Sequence, residues 1–116
     1  MLEKTIHNAI SDRLDARGVA KLYNVRLVQI ATALGKNEDT VRKNPDSDSN
    51  QESLGLLVDA FSRLYDLMAE DEHAVRRWLH RPNRGLDGER PIELLSPSRL
   101  PELRATVREM ETTSYS

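Results

Sequence analysis

Cysteine is absent from the 116-residue chain, which excludes disulfides, thiolate metal sites and a cysteine nucleophile. Its absence suits a reducing, cytoplasmic setting. Long apolar runs are also missing. None approaches the ~18 residues needed to span a bilayer, so no membrane segment is expected. The opening Met1-Leu2-Glu3-Lys4 carries an acid and no apolar stretch follows it, so no signal peptide is expected either. Charge of one sign does not dominate: 17 Lys and Arg stand against 19 Asp and Glu, a net charge of −2. A strongly basic nucleic-acid coat is thereby excluded, while a local basic patch is not. The three histidines, His7, His73 and His80, lack the spacing of convergent metal ligands. No Ser-His-Asp grouping, phosphate-cradling glycine loop or paired-carboxylate pattern stands out. The chain therefore reads as a non-enzyme without cofactor or metal. What remains, 38% hydrophobic and 31% charged, is enough for one modest core in one small domain.

The patterning is helical throughout, which predicts an all-α fold of roughly six to seven helices. Leu2, Ile6, Ile10 and Leu14 recur every four residues and would share one helical face, with Gly18 as its stop or kink. Leu22, Val25, Leu27, Ile30, Ala31 and Leu34 form a second apolar set that Gly35 ends. Asn37 can cap a short helix over Glu38–Lys43, with acids first and bases last, the sense the helix dipole favours. Asn44-Pro45 stops it. The polar, apolar-free run over residues 46–51 reads as a linker between an N-terminal part, 1–45, and a C-terminal part, 52–116. A long helix over Glu52–Ala69 follows. Asp71 caps the next one, which runs to Arg81 and stops at Pro82. Asn83–Arg90 is a loop, Pro91 opens a short turn, and a last helix covers Pro101–Glu111 with a frayed tail, Thr112–Ser116.

Leu27 to about Asn44 has helix-turn-helix spacing. Ala31 is the small residue where the helices cross, Gly35 is the turn residue and Val41 is the anchor on the second helix. Candidate DNA contacts are Arg26, Lys36, Thr40, Arg42 and Lys43. Three features oppose that role. Lys36 and Asn44 stand where apolar residues are expected, and Glu38 and Asp39 open the candidate recognition helix, where phosphates would repel them.

Trp78 to Leu95 is the most specific stretch. A helix ends in Trp78-Leu79 and Pro82-Asn83 breaks it. Leu86 and Gly88 shape the loop, and Pro91-Ile92-Glu93-Leu94-Leu95 folds back on the core. Residue by residue this resembles the C-terminal toxin-binding domain of the Xre–MbcA–ParS antitoxin family. The likeness extends over about residues 25–111 and is specific over 78–95. Three departures stand out: Asp87 beside Gly88 instead of a second glycine, Arg90 instead of a Thr or Ser cap, and Ser96-Pro97-Ser98 instead of a glycine before the last helix.

The resemblance implies an antitoxin of a bacterial type II pair. Such a protein binds and occludes the active site of an NAD-using toxin, either RES-type and NAD-degrading or ADP-ribosyltransferase-like, and many also repress their own operon as homodimers. The expected toxin contacts are Arg81, Asn83, Arg84 and Arg90 in the loop, with Glu111, Tyr115 and Ser116 at the C-terminal end. Arg76, Arg77 and His80 complete a basic cluster whose plainer reading is a solvated face. The competing reading is a helix-turn-helix transcriptional regulator whose second half only dimerises. The broad apolar arc of the Glu52–Ala69 helix favours a dimer in either case.

Overall fold

The computed structural model describes residues 13–114. Six α-helices run through them: α1 (Ala16–Tyr23), α2 (Leu27–Leu34), α3 (Glu38–Lys43), α4 (Gln51–Leu67), α5 (Glu72–His80) and α6 (Leu100–Ser114). Short 3-10 turns lie at Asp48–Asn50, Arg84–Leu86 and Pro91–Leu94, and there is no strand among the described residues. No helix in them is long and apolar enough to cross a membrane. The Leu2, Ile6 and Ile10 stripe, Tyr115 and Ser116 lie outside the described residues.

Local chemistry sets most of the helix ends. Asn37 accepts a hydrogen bond from the Thr40 N–H and starts α3, and Asp71 accepts from His73 and Ala74 and starts α5. Gly35 closes α2 in the left-handed region at φ 70°. Three expectations are corrected. Gly18 does not stop a helix. It is buried inside α1, whose start is capped by Asp15 and whose end falls at Asn24, left-handed at φ 58°. Leu14 is not helical, and its N–H and C=O both bond the Gln51 side chain. Thr112–Ser114 are the last turn of α6, not a frayed tail. The Thr112 and Thr113 hydroxyls donate to the carbonyls of Arg108 and Glu109, one turn back.

One core cluster draws on every α-helix. Tyr23, Ile30, Val41, Leu57, Phe61, Leu64, Leu79 and Leu103 are all fully buried. Helix α4 is its axis and touches α1, α2, α5 and α6, so its broad apolar arc is largely covered within one chain. Residues 46–51 are packed as well as polar. Asn50 is 1% exposed, and its side chain accepts from Lys36 Nζ at 2.5 Å and donates to the Asn44 carbonyl. Lys36 Nζ also donates to Ser49 Oγ. The polar residues at 36 and 44, out of place in the apolar pattern, thus close this connection over α4.

The turn between α2 and α3 rests on the segment before α6. A methyl group on Gly35 would lie 3.0 Å from Pro97 Cγ, too close without a shift, and φ 70° already disfavours a side chain. Gly35→Ala should therefore destabilise the protein by roughly 1–3 kcal/mol. The check is the urea midpoint, which should fall with no change in slope.

Candidate functional site

Helix α5 delivers its C-terminal end, Trp78 to Arg81, to the surface, and Pro82 prevents continuation. The loop that follows closes on Asn83. The Asn83 N–H donates to the Glu89 carbonyl at 2.9 Å, and its own carbonyl accepts from Leu86 and Gly88. Its side chain accepts from the Gly85 N–H at 2.8 Å. Leu86 is the loop's buried plug. Asp87 stands at φ 54° and Gly88 at φ 87°, so the aspartate occupies left-handed backbone that a glycine would tolerate more readily.

A second clasp holds the loop from outside. Arg99, just before α6, makes a two-pronged pair with Glu89 at 2.7 and 2.8 Å and also bonds Glu102. The bidentate geometry is the favoured one for a guanidinium on a carboxylate. Arg99 holds the Glu89 carboxyl below the usual range, and both acids raise the Arg99 guanidinium. Beyond the loop, the Glu93 side chain accepts from the Arg90 N–H at 2.7 Å, and Ile92, Leu94 and Leu95 are buried.

Between loop and helix lies an open groove of about 390 Å³. Trp78 and Met110, both half-buried, give it an apolar floor. Asn83 and Gly85 form one wall, and Thr106, Glu109 and Thr113 of α6 form the other. Arg81 and Arg84 are exposed nearby, on the chain segment that forms the loop wall. Asn83 is half-buried and spends its side chain on the loop itself, so it shapes the site more than it projects from it.

The other expected residues sit elsewhere. Arg90 is exposed with its guanidinium toward Glu93 at 3.6 Å. Glu111 is on another face of α6 and pairs with Arg63 of α4 at 3.0 Å. Two members of the basic cluster face inward. Arg76 Nε donates to the Leu22 carbonyl, and His80 Nε2 lies 3.2 Å from the Tyr23 carbonyl, so both take up the end of α1. Sequence reasoning missed the Glu89–Arg99 clasp and the α6 wall. The 106, 109, 110, 113 spacing is a helical face, but its mixed polarity carries no signal, and Met110 reads as core.

At the other end, Arg26 is exposed at the start of α2, its N–H bonded to Gln29. Lys36 is spent on Ser49 and Asn50. Arg42 is paired with Asp39 at 2.5 Å and with Glu38 at 3.4 Å, while Thr40 and Lys43 are exposed on α3.

The Glu89–Arg99 pair makes the loop acid-sensitive. Because the folded carboxyl titrates below its unfolded value, the stabilisation is fully present above about pH 4.3 and is lost as pH falls through the lowered folded value. Glu89→Gln should be less stable than the parent at neutral pH, and the two should converge in acid. Amide exchange at Asn83 and Gly88 should speed up in the variant at pH 7. Unchanged exchange there would contradict the clasp.

Comparison with known proteins bears on the same region. A family model described as the antitoxin Xre/MbcA/ParS C-terminal toxin-binding domain matches residues 63–109, from the last turns of α4 through α5 and the loop into α6. A Mycobacterium tuberculosis protein named "Probable mycobacterial cidal antitoxin Rv3188" is 30% identical over 98 residues, which is 82% of this chain and 84% of the relative. With a relative aligned along most of both chains and the toxin-binding domain falling on the groove-bearing half, the chain belongs to the Xre/MbcA/ParS family of antitoxins.

Proposed function

We propose that this protein neutralises a cognate toxin enzyme by seating its α5–α6 groove and the 81–90 loop over the mouth of the toxin's active site, so that substrate cannot enter. Membership in an antitoxin family points to a toxin partner. The observation that carries the choice of surface is the double fastening of the loop, by Asn83 from within and by Arg99 from outside. A loop already held in one shape loses little freedom on binding, so more of the contact energy appears as affinity. Trp78 and Met110 offer an apolar seat, and Arg81 and Arg84 offer bidentate donors beside it.

The resemblance extends the reading to an NAD-using toxin. Tyr115 and Ser116, which follow α6, would contact its cleft. Glu111 contributes indirectly in this reading, by fixing α6 to α4 through Arg63. The protein itself performs no chemistry and works in the cytoplasm, where the toxin acts.

The test is rescue of toxin-expressing cells together with co-purification of the complex. Three variants change no fully buried residue: Arg84→Glu, Met110→Arg and a chain ending at Ser114. The last keeps the Glu111–Arg63 pair. Each should lower co-purification at least several-fold and weaken rescue, with unchanged circular dichroism. Full rescue by all three would refute this surface.

A second role is operator binding by a homodimer through α2 and α3, with autorepression as its result. Lys43, Thr40 and Arg26 are exposed for it, whereas Lys36 is engaged and Arg42 is balanced by Glu38 and Asp39. Lys43→Ala should weaken binding to all sequences alike and reduce the salt slope by about 1. Fluorescence anisotropy on the protein's own promoter measures both, and an unchanged slope would remove Lys43 from the interface.

A further inference from the structure

The groove floored by Trp78 and Met110 differs in charge from other grooves on the molecule. An open groove between α4 and α6 carries Arg104 and Arg108, and another along α5 carries His73, Arg76, Arg77 and His80. The Trp78–Met110 groove has one ionisable side chain in its lining, Glu109, and no base. Arg81 and Arg84 are near it in the chain but are not among its lining residues.

The acids of α6 are not used alike. Glu102 is held by Arg99 and Glu111 by Arg63. Glu109 is exposed and is in no ion pair among the described residues. On the same wall, the Thr106 hydroxyl donates to the Glu102 carbonyl at 2.9 Å, so its oxygen keeps acceptor capacity and has no proton to give. At about 390 Å³ the groove stands near the low end of the ~300–1,000 Å³ range of ligand pockets. It has room for one long side chain.

A partner seated here takes water away from Glu109. An apolar cover would leave the carboxylate desolvated without a counter-charge, and an acidic cover would add repulsion, so both are costly. A cation removes that cost. Among cations, a guanidinium suits the rest of the lining. It is planar, it stacks on an indole face, and its fork meets a carboxylate through two hydrogen bonds. An ammonium is a more strongly hydrated point charge without the flat face. The apolar stem of an arginine would also cover Met110.

We infer that the toxin inserts an arginine side chain into this groove, its guanidinium between the Trp78 ring and the Glu109 carboxylate and its stem over Met110. The inference rests on the proposed seating of the toxin at this groove, and it names the chemistry of the group that fills it. The matching toxin surface is an arginine with acids beside it, which face Arg81 and Arg84.

Trp78 is the chain's only tryptophan, so its emission reports on the groove directly. The full-length protein is titrated with N-acetyl-arginine amide and with its neutral isostere, N-acetyl-citrulline amide. The arginine compound should bind about fivefold more tightly, and Glu109→Gln should abolish that preference. Glu109→Gln should also lower co-purification of the toxin about fivefold, with unchanged circular dichroism. Equal binding of the two compounds, or a preference that survives Glu109→Gln, would overturn the inference. So would retention of the toxin by Glu109→Gln where Met110→Arg loses it, a pattern that leaves the groove as the toxin's seat. If both variants keep the toxin, the seat itself is wrong and the inference falls with it.

Discussion

The fold depends on how one phenol is housed. Tyr23, at the last position of α1, is fully buried against the middle of α4. Its hydroxyl donates to the Leu57 carbonyl at 2.6 Å, and its ring meets Phe61 edge to face at 5.5 Å. Burial, reinforced by the charge of Asp59, raises its pKa so that it stays a neutral donor. A buried hydroxyl without a partner is costly, and this one is placed so that only correct docking of α1 on α4 satisfies it. The carbonyls of Leu22 and Tyr23 are met by Arg76 and His80 of α5, and the Arg76 guanidinium stacks 5.9 Å over the Phe61 ring. Three helices are thereby fixed around one side chain, and α5 in turn aims Trp78 and the loop.

What could be read in the sequence was what chemistry decides within a few residues. Asn37, Asp71, Gly35 and the Asn44-Pro45 stop act on their own neighbours, and each falls where expected. The loop was legible for the same reason: Pro82, Asn83, Gly88 and Pro91 carry its backbone geometry in themselves. Gly18 misled because a glycine need not end a helix whose ends are set elsewhere: Asp15 caps the start of α1, Asn24 closes it, and Gly18 is buried between them. The clasp of Glu89 by Arg99, the carbonyl contacts of Arg76 and His80, and the pairing of Glu111 with Arg63 were illegible. Each joins residues on separate elements, and nothing in the local pattern says which of many charges will meet.

Ion pairs, local ones within a turn and others between elements, also sort the arginines by use. Arg13, Arg42, Arg63, Arg76, Arg90 and Arg99 are in ion pairs. Arg17, Arg26, Arg77, Arg81, Arg84, Arg104 and Arg108 are in none among the described residues, and the last five lie around the end of α5 and along α6. A net charge near zero conceals this arrangement. The pairs lie at the surface, and the arginines outside them leave local positive charge on a chain that is close to neutral overall.

The contact of Gly35 with Pro97 has a consequence for how such chains can be recombined. The residues around Pro97 belong to the toxin-binding half, yet Pro97 lies against the turn of the other half, and Phe61 is covered by Tyr23 from across the same boundary. A toxin-binding domain cut out at residue 51 would lose its roof as well as its neighbour. The two halves form a single unit of exchange, so a chimera that transfers specificity for a new toxin has to carry residues 16–45 with it, or rebuild both contacts in the recipient.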